Sequence, residues 1–87
     1  MTAPTLEDYR KKIDEVNGEL LKLLNQRATY VLEIGKIKKQ SNQEIYVPDR
    51  ERQVLESLYQ QNTGPLSKDR IKSIFQEIMR VMREMEK

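Results

Sequence analysis

The stretch "LLKLLNQRATYVLEIGKIKK", residues 20–39, decides the fold. Its apolar residues recur at alternating steps of three and four, the repeat of one helix face and not of a strand. Followed outward in both directions, the same stepping gives Leu6, Tyr9, Ile13, Val16, Leu20, Leu23, Arg27, Tyr30, Ile34 and Ile37. This is a heptad seam whose sole charged member is Arg27. A helix from about residue 6 to about residue 39 is roughly 50 Å long at about 1.5 Å per residue. A compact chain of this size has a radius of gyration of only about 12 Å. The helix is therefore expected to overshoot its own domain and to need a partner helix along its length.

Beyond that helix the chain is punctuated twice, by "SNQEIYVP" at 41–48 and by "NTGP" at 62–65. A second helix is expected over about 48–61. Pro48 suits a first turn, Asp49 and Glu51 complement the helix dipole, and Val54, Leu55 and Leu58 point inward. A third is expected over about 67–86, with Ser67 as N-cap and Leu66 and Ile71 placed as a hydrophobic staple. Its apolar stripe reads Ile71, Ile74, Phe75, Ile78, Val81, Met82 and Met85. The expectation is a single all-α domain over residues 1–87, one long and two shorter helices per chain, assembled as an intertwined homodimeric bundle.

Composition removes several classes of function. Eighty-seven residues make one small domain that buries little surface unaided, and the chain has neither cysteine nor histidine to supply disulfides or a strong metal site. Sixteen Lys and Arg against fourteen Asp and Glu leave a net charge of +2, without a basic cluster, so no nucleic-acid partner is expected. No apolar run follows Met1 and none is long enough to span a membrane. A cytosolic helical protein without membrane association is the expectation.

The charges on the long helix carry the chemical signal. Arg27 and Lys38 are eleven residues apart, which returns to within about 20° and spans about 16 Å of rise. Val31 and Gly35 lie between them on that face. Glycine inside a helix costs about 1 kcal/mol relative to alanine, so another helix or a ligand is expected to approach closely there. Arg27 is open to two readings, a coiled-coil specificity charge or a ligand-facing cation. Lys38 is likewise either a solvated cation favoured by the helix end or part of an anion site. Arg10 sits about 25 Å of rise from Arg27, too far to share a small ligand on one helix, although a second antiparallel copy can deliver its own. Arg50 and Glu51 open the second helix, either as a first-turn charge cluster or as ligand contacts. Glu86 lies in register with Phe75, Met79 and Met82, at a helix C-terminus where a carboxylate is mildly unfavourable. Without His, Cys or a serine–base pair, covalent and histidine-based mechanisms are poorly supplied. A cationic pocket in an apolar bundle suits a small dianion, and a reaction in which the ligand rearranges while the protein supplies geometry and electrostatic stabilisation.

Taken together, "YRKKIDEVNGELLKLLNQRATYVLEIGKIK", "PDRERQVL" and "IKSIFQEIM" strongly resemble the all-helical chorismate mutase family. The resemblance runs from about Leu6 to the C-terminus, through R-x-x-I, L-L-x-L-L-x-x-R, I-G-x-x-K and D-R-E in order. It looks most like the short mutase domains that occur alone or fused to DAHP synthase, the entry enzyme of the shikimate pathway. It implies an intertwined dimer that rearranges chorismate to prephenate without a cofactor, on the way to phenylalanine and tyrosine. It implies that Arg27, and Arg10 from the other protomer, hold the substrate carboxylates. Lys38 would donate to the ether oxygen, Arg50 would support the carboxylate network, and Glu51 would accept the ring hydroxyl.

Two positions depart from the family pattern. Where many members have glutamine as second donor to the ether oxygen, this chain has Glu86, which donates only when protonated, so burial beside an anionic substrate has to favour the acid form. Met82 stands where a small or hydroxyl residue is found elsewhere and is expected to narrow the pocket, with the Val47 backbone N–H as a replacement contact. Alternatives are an isochorismate pyruvate lyase on the same scaffold, a regulatory chorismate- or prephenate-binding module of a DAHP synthase, and a ligand-free helical dimer.

Overall fold

The computed structural model describes residues 2–87. Three helices account for the ordered elements: α1 (Leu6–Gln40), α2 (Pro48–Gln61) and α3 (Lys68–Glu86). The chain divides into two compact units, the first ending at Tyr30 and the second covering Val31–Lys87.

The first unit is helical throughout from Leu6. Its start is fixed by reciprocal bonds: the Asp8 N–H donates to Thr5 Oγ1 at 3.2 Å, and the Thr5 N–H donates to Asp8 Oδ2 at 2.9 Å. This is a capping box with aspartate in place of glutamate. Leu6, Tyr9, Ile13, Val16, Leu20, Leu23 and Tyr30 of the seam are all at least half exposed. A lone helix gains nothing from such a row, because the stability of a helix comes from packing its apolar face.

The second unit has a core, and α2 and α3 pack against each other to make it. Leu55 of α2 and Ile71, Met79 and Met82 of α3 are buried there. Ser67 caps α3 by accepting the Arg70 N–H at 3.2 Å. Asn62 orders the preceding turn, accepting the Gly64 N–H at 3.2 Å and donating to the Leu66 carbonyl at 2.8 Å. The stripe expected on α3 is corrected in one respect. Met79 is buried, whereas Ile74, Val81 and Met85 are exposed. The helix carries two apolar rows, one facing the core and one left uncovered.

α1 ends in a Schellman turn. Asn42 takes a left-handed conformation with φ 55°, and the Gln43 N–H closes onto the Lys38 carbonyl at 2.9 Å. α2 then starts at Pro48, and the Val47 carbonyl accepts the N–H groups of Arg50 and Glu51 at 3.1 and 3.2 Å.

Candidate functional site

The second unit gathers an ion pair at its interior. Lys38 Nζ and Glu86 Oε1 are 2.9 Å apart, with side chains only 16% and 9% exposed. Three features hold them there. The Schellman turn starts from the Lys38 carbonyl, and the Lys38 ammonium donates to the Ile45 carbonyl at 2.8 Å, so one residue pins the loop by both backbone and side chain. At the other end the last turn of α3 is held down, because Lys39 Nζ donates to the Lys87 carbonyl oxygen at 3.2 Å. Between them is Gly35, the only buried residue of α1 among those described. A Cβ there would stand 3.0 Å from the Glu86 carbonyl oxygen, so the close approach expected at this glycine is made by the α3 backbone.

The Lys38–Glu86 contact is an ion pair by distance but not by direction. Glu86 Oε1 is buried and receives no hydrogen bond. The ammonium has three donors, of which Ile45 takes one. The pair therefore retains capacity to bond something else.

A second pair lies on the same helix, three residues earlier. Arg83 Nη1 donates to Glu51 Oε2 while the guanidinium stacks over the Tyr46 ring, its Cζ 4.4 Å from the ring centre. The hydrogen bond to Glu51 raises the pKa of the Arg83 guanidinium above its ordinary value, with burial acting in the opposite direction. The cluster ties the 41–47 loop and the first turn of α2 to α3.

The remaining expected residues are distributed as follows. Met82 is buried one turn before Glu86, a core residue in this fold. Val47 and Arg50 are exposed at the start of α2; the Val47 side chain makes no cap, and its carbonyl is the group that serves the helix. In the first unit, Arg27 is half-buried, and Arg10 is exposed with its guanidinium 3.2 Å from Glu7. Arg83, Tyr46 and the Ile45 carbonyl were not singled out in the sequence. The carbonyl has no side-chain signature, but an arginine one position after a core methionine and one turn before Glu86 was a readable signal. Among the described residues no acidic group of three or more could hold a metal ion, and no helix is long and apolar enough to cross a membrane.

Residues 9–87 match the family model for chorismate mutase type II. A bifunctional chorismate mutase/prephenate dehydratase of Aquifex aeolicus is 36% identical over 86 residues, covering 94% of this chain and 24% of the relative. Its counterpart in Neisseria gonorrhoeae is 37% identical over 71 residues, covering 82% of this chain and 19% of the relative. The chain thus spans a quarter or less of these relatives' length. Both names couple the mutase to a prephenate dehydratase and not to the DAHP synthase suggested by the sequence resemblance. Among solved structures, a chorismate mutase of Thermus thermophilus superposes with a TM-score of 0.90 at 34% identity, covering 93% of this chain and 92% of that one. A chorismate mutase of Helicobacter pylori in complex with prephenate gives 0.86 at 31% identity, covering 93% and 88%.

Proposed function

The chain belongs to the chorismate mutase type II family, and from that premise we propose that it rearranges chorismate to prephenate. The observation that carries the reading is the interior Lys38–Glu86 pair, 2.9 Å apart and largely sheltered, with bonding capacity to spare. In this rearrangement the ether C–O bond breaks as a C–C bond forms, within one molecule, and no proton or electron is exchanged with the protein. The barrier falls through orientation of the substrate and through stabilisation of the charge that collects on the ether oxygen. Lys38 supplies a cationic donor for that oxygen. The resemblance assigns the second contact to Glu86, which can donate there only as the acid, so the substrate has to displace the ion pair with Lys38 seen in the free chain.

The other roles rest on the resemblance. Arg27 and Arg10 of the partner subunit are assigned to the two substrate carboxylates, with Arg50 supporting them and Glu51 accepting the ring hydroxyl. Val47 lends a backbone contact, and Met82 narrows the wall. Burial supports a second subunit, since the exposed seam of α1 and the uncovered row Ile74, Val81 and Met85 have no cover within the chain. A homodimer with two equivalent sites meets both needs, in the cytosol and without a cofactor. A prephenate-consuming companion activity, as named in two of the relatives, fits this chain better than a DAHP synthase.

The experiment is to add chorismate to the purified chain, follow its ultraviolet absorbance, and identify the product by acid conversion to phenylpyruvate. Turnover without added metal or cofactor is the expected result. A folded dimer that binds a transition-state analogue but does not turn over would assign the chain to a regulatory role instead.

A further inference from the structure

Ion pairs among the described residues fall into two kinds. Six join residues three apart in sequence, along a helix or at its end, and are mostly exposed. Two join separate elements and are sheltered: Lys38–Glu86 and Arg83–Glu51. Both acids of the sheltered pairs are residues to which the proposed reaction gives substrate contacts. Of the two cations, Lys38 has a role in that reaction, and Arg83 has none.

We infer that Arg83 is a positioning residue for Glu51, fixing its carboxylate as the acceptor of the substrate's ring hydroxyl. The inference rests on the mutase reading above and deepens it. The Arg83 bond goes to Oε2, and a carboxylate has a second oxygen, Oε1, that can accept a further donor. A planar guanidinium can lie flat on Tyr46 and still present its edge to a carboxylate, which an ammonium cannot do as well. The Arg83 and Glu51 side chains are 26% and 21% exposed, so the pair is less screened than the helix-surface pairs around it. Tyr46 and Glu51 flank the loop–α2 junction at Pro48, so Arg83 sets the junction and the carboxylate together. A first-turn glutamate on a free helix end would sample several rotamers. Here its direction is set from α3.

The test is a double-mutant cycle in the full chain, with chorismate as substrate and urea unfolding run in parallel. Arg83→Met should lower kcat/KM about tenfold, the cost of misplacing one acceptor for a substrate hydroxyl. Glu51→Gln should show a comparable loss, and the double variant should be no worse than the poorer single one. Arg83→Lys should recover part of the loss. Chorismate methylated on its ring hydroxyl has no proton to give there and should compete equally well against wild type and Arg83→Met. Losses that multiply in the double variant, or that track a fall in unfolding free energy, would mean that Arg83 is only a clasp between helices and would overturn the inference. So would wild-type kinetics in Arg83→Met. Failure of the wild type to turn over chorismate, seen before any substitution, removes the mutase reading and this inference with it.

Discussion

Gly35 and Glu86 touch through their backbones: a Cβ on Gly35 would meet the Glu86 carbonyl oxygen at 3.0 Å and its Cα at 3.2 Å. The atoms in the way are main chain, so they cannot swing aside as a side-chain tip would. In Gly35→Ala the helix gains about 1 kcal/mol of propensity, while overpacking costs about 1–3 kcal/mol. The net is a loss of between zero and about 2 kcal/mol. The last turn of α3 has to shift, and Glu86 with it, so kcat is expected to drop by an order of magnitude or more for a geometric error of this size. Steady-state kinetics beside a thermal melt separates the two effects, and wild-type turnover in Gly35→Ala would show that the placement of this turn does not matter.

The chemistry assigned to Glu86 sets a pH dependence whose sign is fixed. The acid form donates and the carboxylate does not, so turnover is expected to fall as pH rises. In Glu86→Gln the amide donates at every pH and the profile flattens. Identical profiles of kcat against pH for the two proteins would remove Glu86 from the ether-oxygen contact.

The shared site can be tested by mixing subunits. Arg10→Ala and Arg27→Ala homodimers are each expected to be weak, because either change leaves a substrate carboxylate without its cation in both sites. A verified heterodimer of the two would regain one intact site and close to half of wild-type activity per dimer. No recovery would place both arginines in the same chain's site.

Ser67 accepts the Arg70 N–H, and the cap is independent of substrate. Ser67→Ala should cost about 1 kcal/mol in urea unfolding and leave KM unchanged. A loss well below that would mean that the α3 terminus is held by packing at Ile71 and not by its cap.

How much of this was legible depended on which groups announce themselves in a sequence. The three helices, with the Ser67 cap and the proline start of α2, follow from periodicity and capping chemistry, which are local. Gly35 signalled a close approach, but a glycine cannot name its neighbour, and the neighbour proved to be the backbone of Glu86. On α3 a single stripe was expected, yet apolar residues occupy two rows, and period alone cannot tell the core row with Met79 from the uncovered row with Ile74 and Val81. By position alone, Glu86 is exposed to fraying at its helix end. It is held there by Lys38 and by the bond from Lys39 to the next residue's carbonyl, contacts that span nearly fifty residues of sequence. The position of Arg83 beside the core row is readable, but its partners, Tyr46 and Glu51, lie on other elements and are not.

On the proposed dimer, the seam of α1 from Leu6 to Tyr30, exposed in the single chain, makes folding a question of mass action. A chain that gains part of its burial by association has a folded fraction that depends on its own concentration. Its melting temperature should climb with protein concentration, and its specific activity should fall on dilution as each departing subunit takes an arginine from its neighbour's site. Rates measured at nanomolar enzyme would then report the dissociation constant of the subunits as much as the rearrangement they perform.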